Sequence, residues 1–135
     1  MATQIFVNLP IRDLKKSMEF FGKLGYTFNM QFTNEMATCM VITDSIYAML
    51  LTEPFFKTFT TREICDTKTH IESLVALSAE NRNAVDELVN KALAAGGTEP
   101  RPANDMGFMY TRCFEDLDGH LWEVFHMDMS QMPQQ

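Results

Sequence analysis

Residues able to do acid–base or metal chemistry gather in one short stretch, Phe114-Glu115-Asp116-Leu117-Asp118-Gly119-His120-Leu121-Trp122-Glu123-Val124-Phe125. An acidic Asp-x-Asp-Gly turn leads into a strand that carries a lone carboxylate, Glu123. Asp118 and Gly119 supply the positive-φ positions of a tight hairpin, and 121–125 is rich in strand formers. His120 and His126 flank Glu123, but strand alternation puts both imidazoles on one face and the carboxylate on the other. At roughly 3.3 Å per residue the two histidines stand about 20 Å apart, too far to share an ion. His70 with Glu72 reaches Glu123 only if the register slips, so the histidines are expected at the surface. Glu123 is left as the one candidate for catalysis, as general base on an acidic carbon–hydrogen bond.

What Glu123 can do depends on the residue facing it across the hairpin. Pairing Arg112 with Glu123 and Phe114 with Leu121 needs only a short loop, and it puts Phe108 and Tyr110 on the same face. In a catalytic reading, Arg112 would hold an oxyanion. An ion pair with arginine, however, favours the charged carboxylate and weakens it as a base. A structural or ligand-orienting role therefore ranks first. A slip of one residue would replace this polar set with Met109, Thr111 and Cys113.

The elements that must position these groups read as two copies of one plan. A strand over 5–9 and a Pro10-Ile11-Arg12 link lead to Asp13, an N-cap, and a helix over 14–24 with Leu14, Met18, Phe21 and Leu24 on one face. Gly25 stops that helix. Strands are expected at 26–32, 36–43 and 46–52, with turns at Asn34-Glu35 and Asp44-Ser45. The second copy opens with a strand over 73–78. Ser78 or Asn81 caps a helix through Ala95, with Ala84, Leu88, Ala92 and Ala95 on one face, and Gly96-Gly97 ends it. Strands at 98–101, 108–114 and 120–127 complete the copy. Val7 to Asp13 superposes on Val75 to Asn81, and such internal duplication constrains a fold strongly. Between the copies, 54–70 holds Phe55, Phe56 and Phe59, then a charged run at 61–68 expected to form a short helix and linker. A lid, an arm or a dimer contact would each explain this segment.

The whole chain, 1–135, is expected to form one domain: a first module over about 4–53, the arm over 54–70, a second module over about 71–127, and a polar tail over 128–135 that frays. The net charge of −7 and the lack of any basic cluster longer than Lys15-Lys16 argue against nucleic acid and anionic membrane as partners. No stretch is apolar enough for a signal peptide or membrane span, so a cytoplasmic location is expected. Three cysteines with unrelated spacings, Cys39, Cys65 and Cys113, fit reduced buried thiols. Eleven Phe and eleven Met suit an adaptable apolar interior.

Leu9-Pro10-Ile11-Arg12-Asp13-Leu14, Met18-Glu19-Phe20-Phe21, Leu24-Gly25-Tyr26, Ala94-Ala95-Gly96-Gly97 and the 114–123 segment together resemble the glyoxalase/bleomycin resistance/extradiol dioxygenase family, also called vicinal oxygen chelate proteins. The resemblance covers residues 4–127. It implies an α+β fold of two βαβββ modules forming an open half-barrel cup, and assembly as a homodimer. It also implies, in metal-using members, four ligands of His, Glu or Gln type on the opening and closing strands of each half. Carried onto this chain, those positions fall on Phe6, on Leu50 (or Met49 one residue away), on Leu74 and on Glu123. Three apolar side chains and one carboxylate cannot hold a divalent ion, so no metal and no cofactor are expected.

The cup lining expected on this basis is Phe6, Asn8, Leu50 and Leu74 from the first strands and their partners. The closing hairpin adds Phe108, Tyr110, Arg112, Leu121 and Glu123. Such a mostly apolar lining suits a small apolar or amphiphilic organic molecule. A metal-free protein that sequesters or senses such a ligand is the leading function. The alternative is a metal-dependent lyase or isomerase of the lactoylglutathione lyase kind, or a dioxygenase, with a shifted metal site. Glutathione would call for basic residues at the mouth, where only Arg12, Arg101 and Arg112 are on offer. A third reading is partner binding through the Phe55–Phe59 arm.

Overall fold

A computed structural model describes residues 3–131, and the chain divides into two units, Met1–Asp66 and Thr67–Gln135. In the first unit, β1 (Ile5–Ile11) is followed by α1 (Leu14–Lys23), β2 (Thr27–Asn29), β3 (Ala37–Val41) and β4 (Ile46–Thr52). The strand order is β1-β4-β3-β2, with β1 parallel to β4 and the remaining neighbours antiparallel. The second unit repeats the plan with β5 (Leu74–Ser78), α3 (Arg82–Ala94), β6 (Asn104–Asp105), β7 (Met109–Glu115) and β8 (Leu121–Met127), in the order β5-β8-β7-β6. The expected α+β class and the pair of βαβββ modules are what the chain adopts, as two open four-stranded sheets.

Local chemistry explains the element boundaries. Asp13 caps α1 by accepting the Lys16 N–H at 3.1 Å, and Asn81 rather than Ser78 caps α3 through the Ala84 N–H at 2.7 Å. β1 runs on through Pro10, a residue expected in a link. Proline is tolerated there because β1 is an edge strand with β4 on one side only. The run at 26–32 is a strand only to Asn29, whose side chain accepts the Gln31 N–H and starts a 3₁₀ turn over Met30–Phe32. No strand forms over 98–101. Thr98 makes a single bridge to Glu115, and the outer strand is the two-residue β6 instead.

The buried helix stripes sit one step round from those expected. In α1, Ser17, Phe20 and Phe21 are buried, with Leu24 just beyond, while Leu14 and Met18 border the stripe. In α3 the stripe is Val85, Val89 and Ala92. The arm is also shifted. Its helical part is α2 (Glu53–Phe56), opened by Pro54, followed by a 3₁₀ turn over Lys57–Phe59, and the charged 61–68 run is not helical. α2 packs against β1 and β4. The 128–135 tail begins with a 3₁₀ turn over Met129–Gln131, and 132–135 lie outside the described residues.

Candidate functional site

Each sheet has one face against its long helix, α1 or α3, and a second face free of that helix. The second face is termed helix-free, although the short α2 lies over part of it in the first unit. On β8, Trp122 and Val124 are at most 1% exposed and turn toward α3, so Leu121, Glu123 and Phe125 turn the other way. The β7–β8 register pairs Cys113 with Glu123, Phe114 with Trp122, and Arg112 with Val124. The expected Arg112–Glu123 pairing is therefore wrong by one residue, and a one-residue slip moves every side chain of a strand to the opposite face. The physical reason is the pair Phe114 and Trp122, buried with near-parallel rings 6.3 Å apart between centroids. Putting both large aromatics in the core places Phe114 on the α3 face and Cys113 beside Glu123.

The loop between β7 and β8 locks that register. Asp116 is buried, and its carboxylate accepts the N–H groups of Asp118 at 2.9 Å and His120 at 3.0 Å, and the Trp122 indole N–H at 3.0 Å. Burial pushes the Asp116 carboxyl above its ordinary range, against lowering by the His120 charge and these N–H donors. Of the two turn residues, only Gly119 takes a positive φ, 79°. His120 is not at the surface, as expected, but buried, with Nδ1 2.5 Å from Glu72 Oε1. Glu72 is thus committed to His120 rather than free to approach Glu123. His70 is exposed, and His126 Nδ1 lies 3.0 Å from the Ala79 carbonyl.

Arg101 is what reaches Glu123. Its guanidinium forms an ion pair with the carboxylate, while its Nε donates to Cys113 Sγ at 3.4 Å. Arg101 and Glu123 border a cavity of about 430 Å³ whose walls include Asn104, Met109 and Thr111. Arg101, Cys113, Met109 and Thr111 were not among the site residues drawn from sequence. Cys113, Met109 and Thr111 were signalled only by the alternative register, and Arg101 only as a basic residue at the mouth, because it sits in irregular backbone between Pro100 and Pro102.

Three expected lining residues belong elsewhere. Arg112 turns to α3, where it forms a two-pronged pair with Glu99 at 2.9 and 3.0 Å and also bonds Asp86 at 3.0 Å. The Tyr110 hydroxyl donates to Asp86 at 2.7 Å. That bond, ahead of the Arg112 contacts, holds the Asp86 carboxyl below its usual range. Phe108 lines a separate cavity with Arg82 and His126 at the start of α3. Leu74 and Leu121 do stand beside Glu123, paired in register on its face of the sheet.

In the first unit, Ala48, Leu50 and Met40 are fully buried on the side that α1 covers. Leu50 is therefore excluded from the helix-free face, and Met49 takes that place. Phe6 and Asn8 are on this face as expected. Phe6 is 47% exposed and stacks on Tyr47 with centroids 4.7 Å apart. Beyond Asn8, the arm covers Leu51 and leaves a cavity bordered by Phe56, Phe59 and Thr60.

The positions that the family resemblance assigns to metal ligands hold Phe6, Leu50 or Met49, Leu74 and Glu123. The apolar members offer no hard donor, and the one carboxylate is held by Arg101, so these residues do not fit a divalent ion. Among the described residues, no group of three or more His, Cys, Asp or Glu side chains could hold one. Likewise, none of their helices is long and apolar enough to cross a membrane.

Residues 3–43 match the family model described as bleomycin resistance protein-like N-terminal. No curated protein matches the chain significantly. Among solved structures, a hypothetical protein from S. aureus is 26% identical, with a TM-score of 0.78 over 93% of this chain and 95% of that one. A glyoxalase/bleomycin resistance protein/dioxygenase family enzyme from Burkholderia phytofirmans is 18% identical, with a TM-score of 0.79 over 93% and 99%. A glyoxalase-related enzyme from Fulvimarina pelagi is 21% identical, with a TM-score of 0.78 over 93% and 88%.

Proposed function

We propose that this chain, by its fold and its N-terminal match a member of the vicinal oxygen chelate superfamily, is a metal-free protein that binds a small apolar or amphiphilic molecule. One observation carries the reading: Glu123, the only carboxylate at the four positions that the resemblance assigns to metal ligands, is already paired with Arg101. A carboxylate already paired with an arginine has little left to offer a lone metal ion, but it is well placed to orient a polar group. The wall beside it mixes Met109, Pro102 and Ala103 with Asn104 and Thr111, which suits a molecule with one polar end.

Elemental analysis of tag-free protein, offered nickel, zinc, manganese and ferrous iron separately, is expected to find near-zero metal per chain. One metal per chain, lost in Glu123→Ala, overturns the proposal and points to the lyase, isomerase or dioxygenase chemistry of other members. The proposal includes a homodimer, because the outer strands β1, β2, β5 and β6 leave sheet edges that pairing would cover. Sedimentation at micromolar concentration checks it, and a monomer throughout rejects it. A cytoplasmic setting is the third part, supported by cysteines that form no disulfide among the described residues. Fractionation of the cells that make the protein tests that part.

A further inference from the structure

The cavity under the arm differs in kind from the one beside Glu123. It measures about 390 Å³, within the range of small-molecule sites, and is bordered by Asn8, Leu51, Phe56, Phe59 and Thr60. None of the five is charged. An anion or cation placed there would lose its hydration with no counter-charge to replace it. The floor is Leu51, 2% exposed, and the walls are two phenylalanine rings of the arm. Phe55 braces Phe59 edge-on, with centroids 5.2 Å apart, yet Phe59 remains 68% exposed. Aromatic surface held in place but left open is surface that a flat ligand can cover.

Asn8 supplies the polar group. Among the described residues its side chain makes one hydrogen bond, a long one of 3.5 Å from Nδ2 to the Phe6 carbonyl. The amide oxygen and the second N–H remain side by side and open. Their complement is an adjacent N–H and C=O on the ligand, and it is the same whichever way the amide is turned.

We infer that this cavity binds an uncharged fused-ring aromatic lactam, with its rings against Phe56 and Phe59 and its N–H/C=O edge on Asn8. The inference goes beyond the ligand-binding reading above, because it concerns a cavity other than the one beside Glu123.

The test is an NMR titration of the ¹⁵N-labelled full chain with 2-quinolone, and with quinoline, which keeps the rings but lacks the lactam edge. The expected result is a saturable shift of the Asn8 side-chain amide and of the backbone amides of Leu51, Phe56 and Phe59. Quinoline is expected to bind about tenfold more weakly. Asn8→Leu should erase the difference between the two probes. Phe59→Ala, which removes an exposed ring and leaves the fold intact, should weaken both about fivefold. Shifts at Arg101 and Glu123 with none at Asn8 would overturn the inference while leaving the ligand-binding reading standing. No shift with either probe at millimolar concentration would also overturn it. One metal per chain by elemental analysis sinks the broader reading whatever the titration gives.

Discussion

The two units share a strand order and a helix crossover, yet hold their helices by different chemistry. In the first, α1 drives Phe20 and Phe21 into the sheet with their rings edge-on at 5.0 Å, and Tyr26 leans on Phe21 at 6.4 Å. In the second, α3 offers only Val85, Val89 and Ala92, and its flank is tied to β7 through Arg112, Glu99, Asp86 and Tyr110. The helix-free faces reverse the contrast. The first unit's face is aromatic, with Phe6 on Tyr47 and the rings of the arm, whereas the second unit's face carries the Arg101–Glu123 ion pair. One topology thus tolerates either polarity on either face. A face's chemistry has to be read from its residues, never from its place in a repeat.

That comparison can be tested by breaking each unit where it differs. The largest effect is expected at Trp122, the largest fully buried side chain among the described residues. Trp122→Ala empties the space beside Phe114 and strips a donor from Asp116, for a loss of about 3–5 kcal/mol in urea unfolding. A loss under 1 kcal/mol would mean that the register argument built on the aromatic pair is wrong.

The two arginines come next, because they separate structure from site. Arg112→Ala leaves Glu99 and Asp86 without their shared counter-charge beside α3, at a cost of about 2 kcal/mol. Arg101 is 54% exposed, so Arg101→Ala is expected to cost under about 1 kcal/mol of stability while changing what binds beside Glu123. Equal stability losses for the two would erase the distinction between an arginine that ties β7 to α3 and one that faces the cavity.

Gly119→Ala follows, at about 1–2 kcal/mol, because its φ is 79° and a Cβ there would lie 2.5 Å from Thr67 Oγ1. Adding Thr67→Gly should recover the steric part and leave the backbone part, which thermal melts of the single and double variants resolve.

The smallest effect is a titration. Two bonds from Arg82 and one from the Gly107 N–H hold the Asp105 carboxyl at about 2, below its unfolded value. A depressed acid stabilises the fold above its unfolded pKa, and that contribution is lost as pH falls from about 4 toward 2. A carboxyl carbon NMR titration should find the low midpoint in the wild type and a higher one in Arg82→Gln, where the Gly107 N–H still holds it down in part. An unchanged midpoint would remove Arg82 as its cause.

Much of the architecture was legible because it is local. Asp13 and Asn81 announce helix starts, Gly25 and Gly96 take the positive φ that ends them, and alternating apolar residues mark β4, β7 and β8. The candidate site was legible only in part. Glu123, Leu74 and Leu121 share a face as expected, and Phe6 and Asn8 do so in the first unit. Arg112, Tyr110, Phe108 and Leu50 do not belong with them, because each was placed by a register that was one residue out. Phe114 and Trp122 were the residues that could have corrected it, since two large aromatics are costly to leave on a wet face.

By itself, the sequence determined the repeated βαβββ plan, since that depends on residue type and near-neighbour spacing. Only the tertiary structure decided that Arg101 rather than Arg112 neutralises Glu123, that His120 is buried against Glu72, and that the arm roofs Asn8 and Leu51. Those outcomes join residues distant in the chain. They follow from which large side chains win burial across the whole sheet, a competition that no local pattern records.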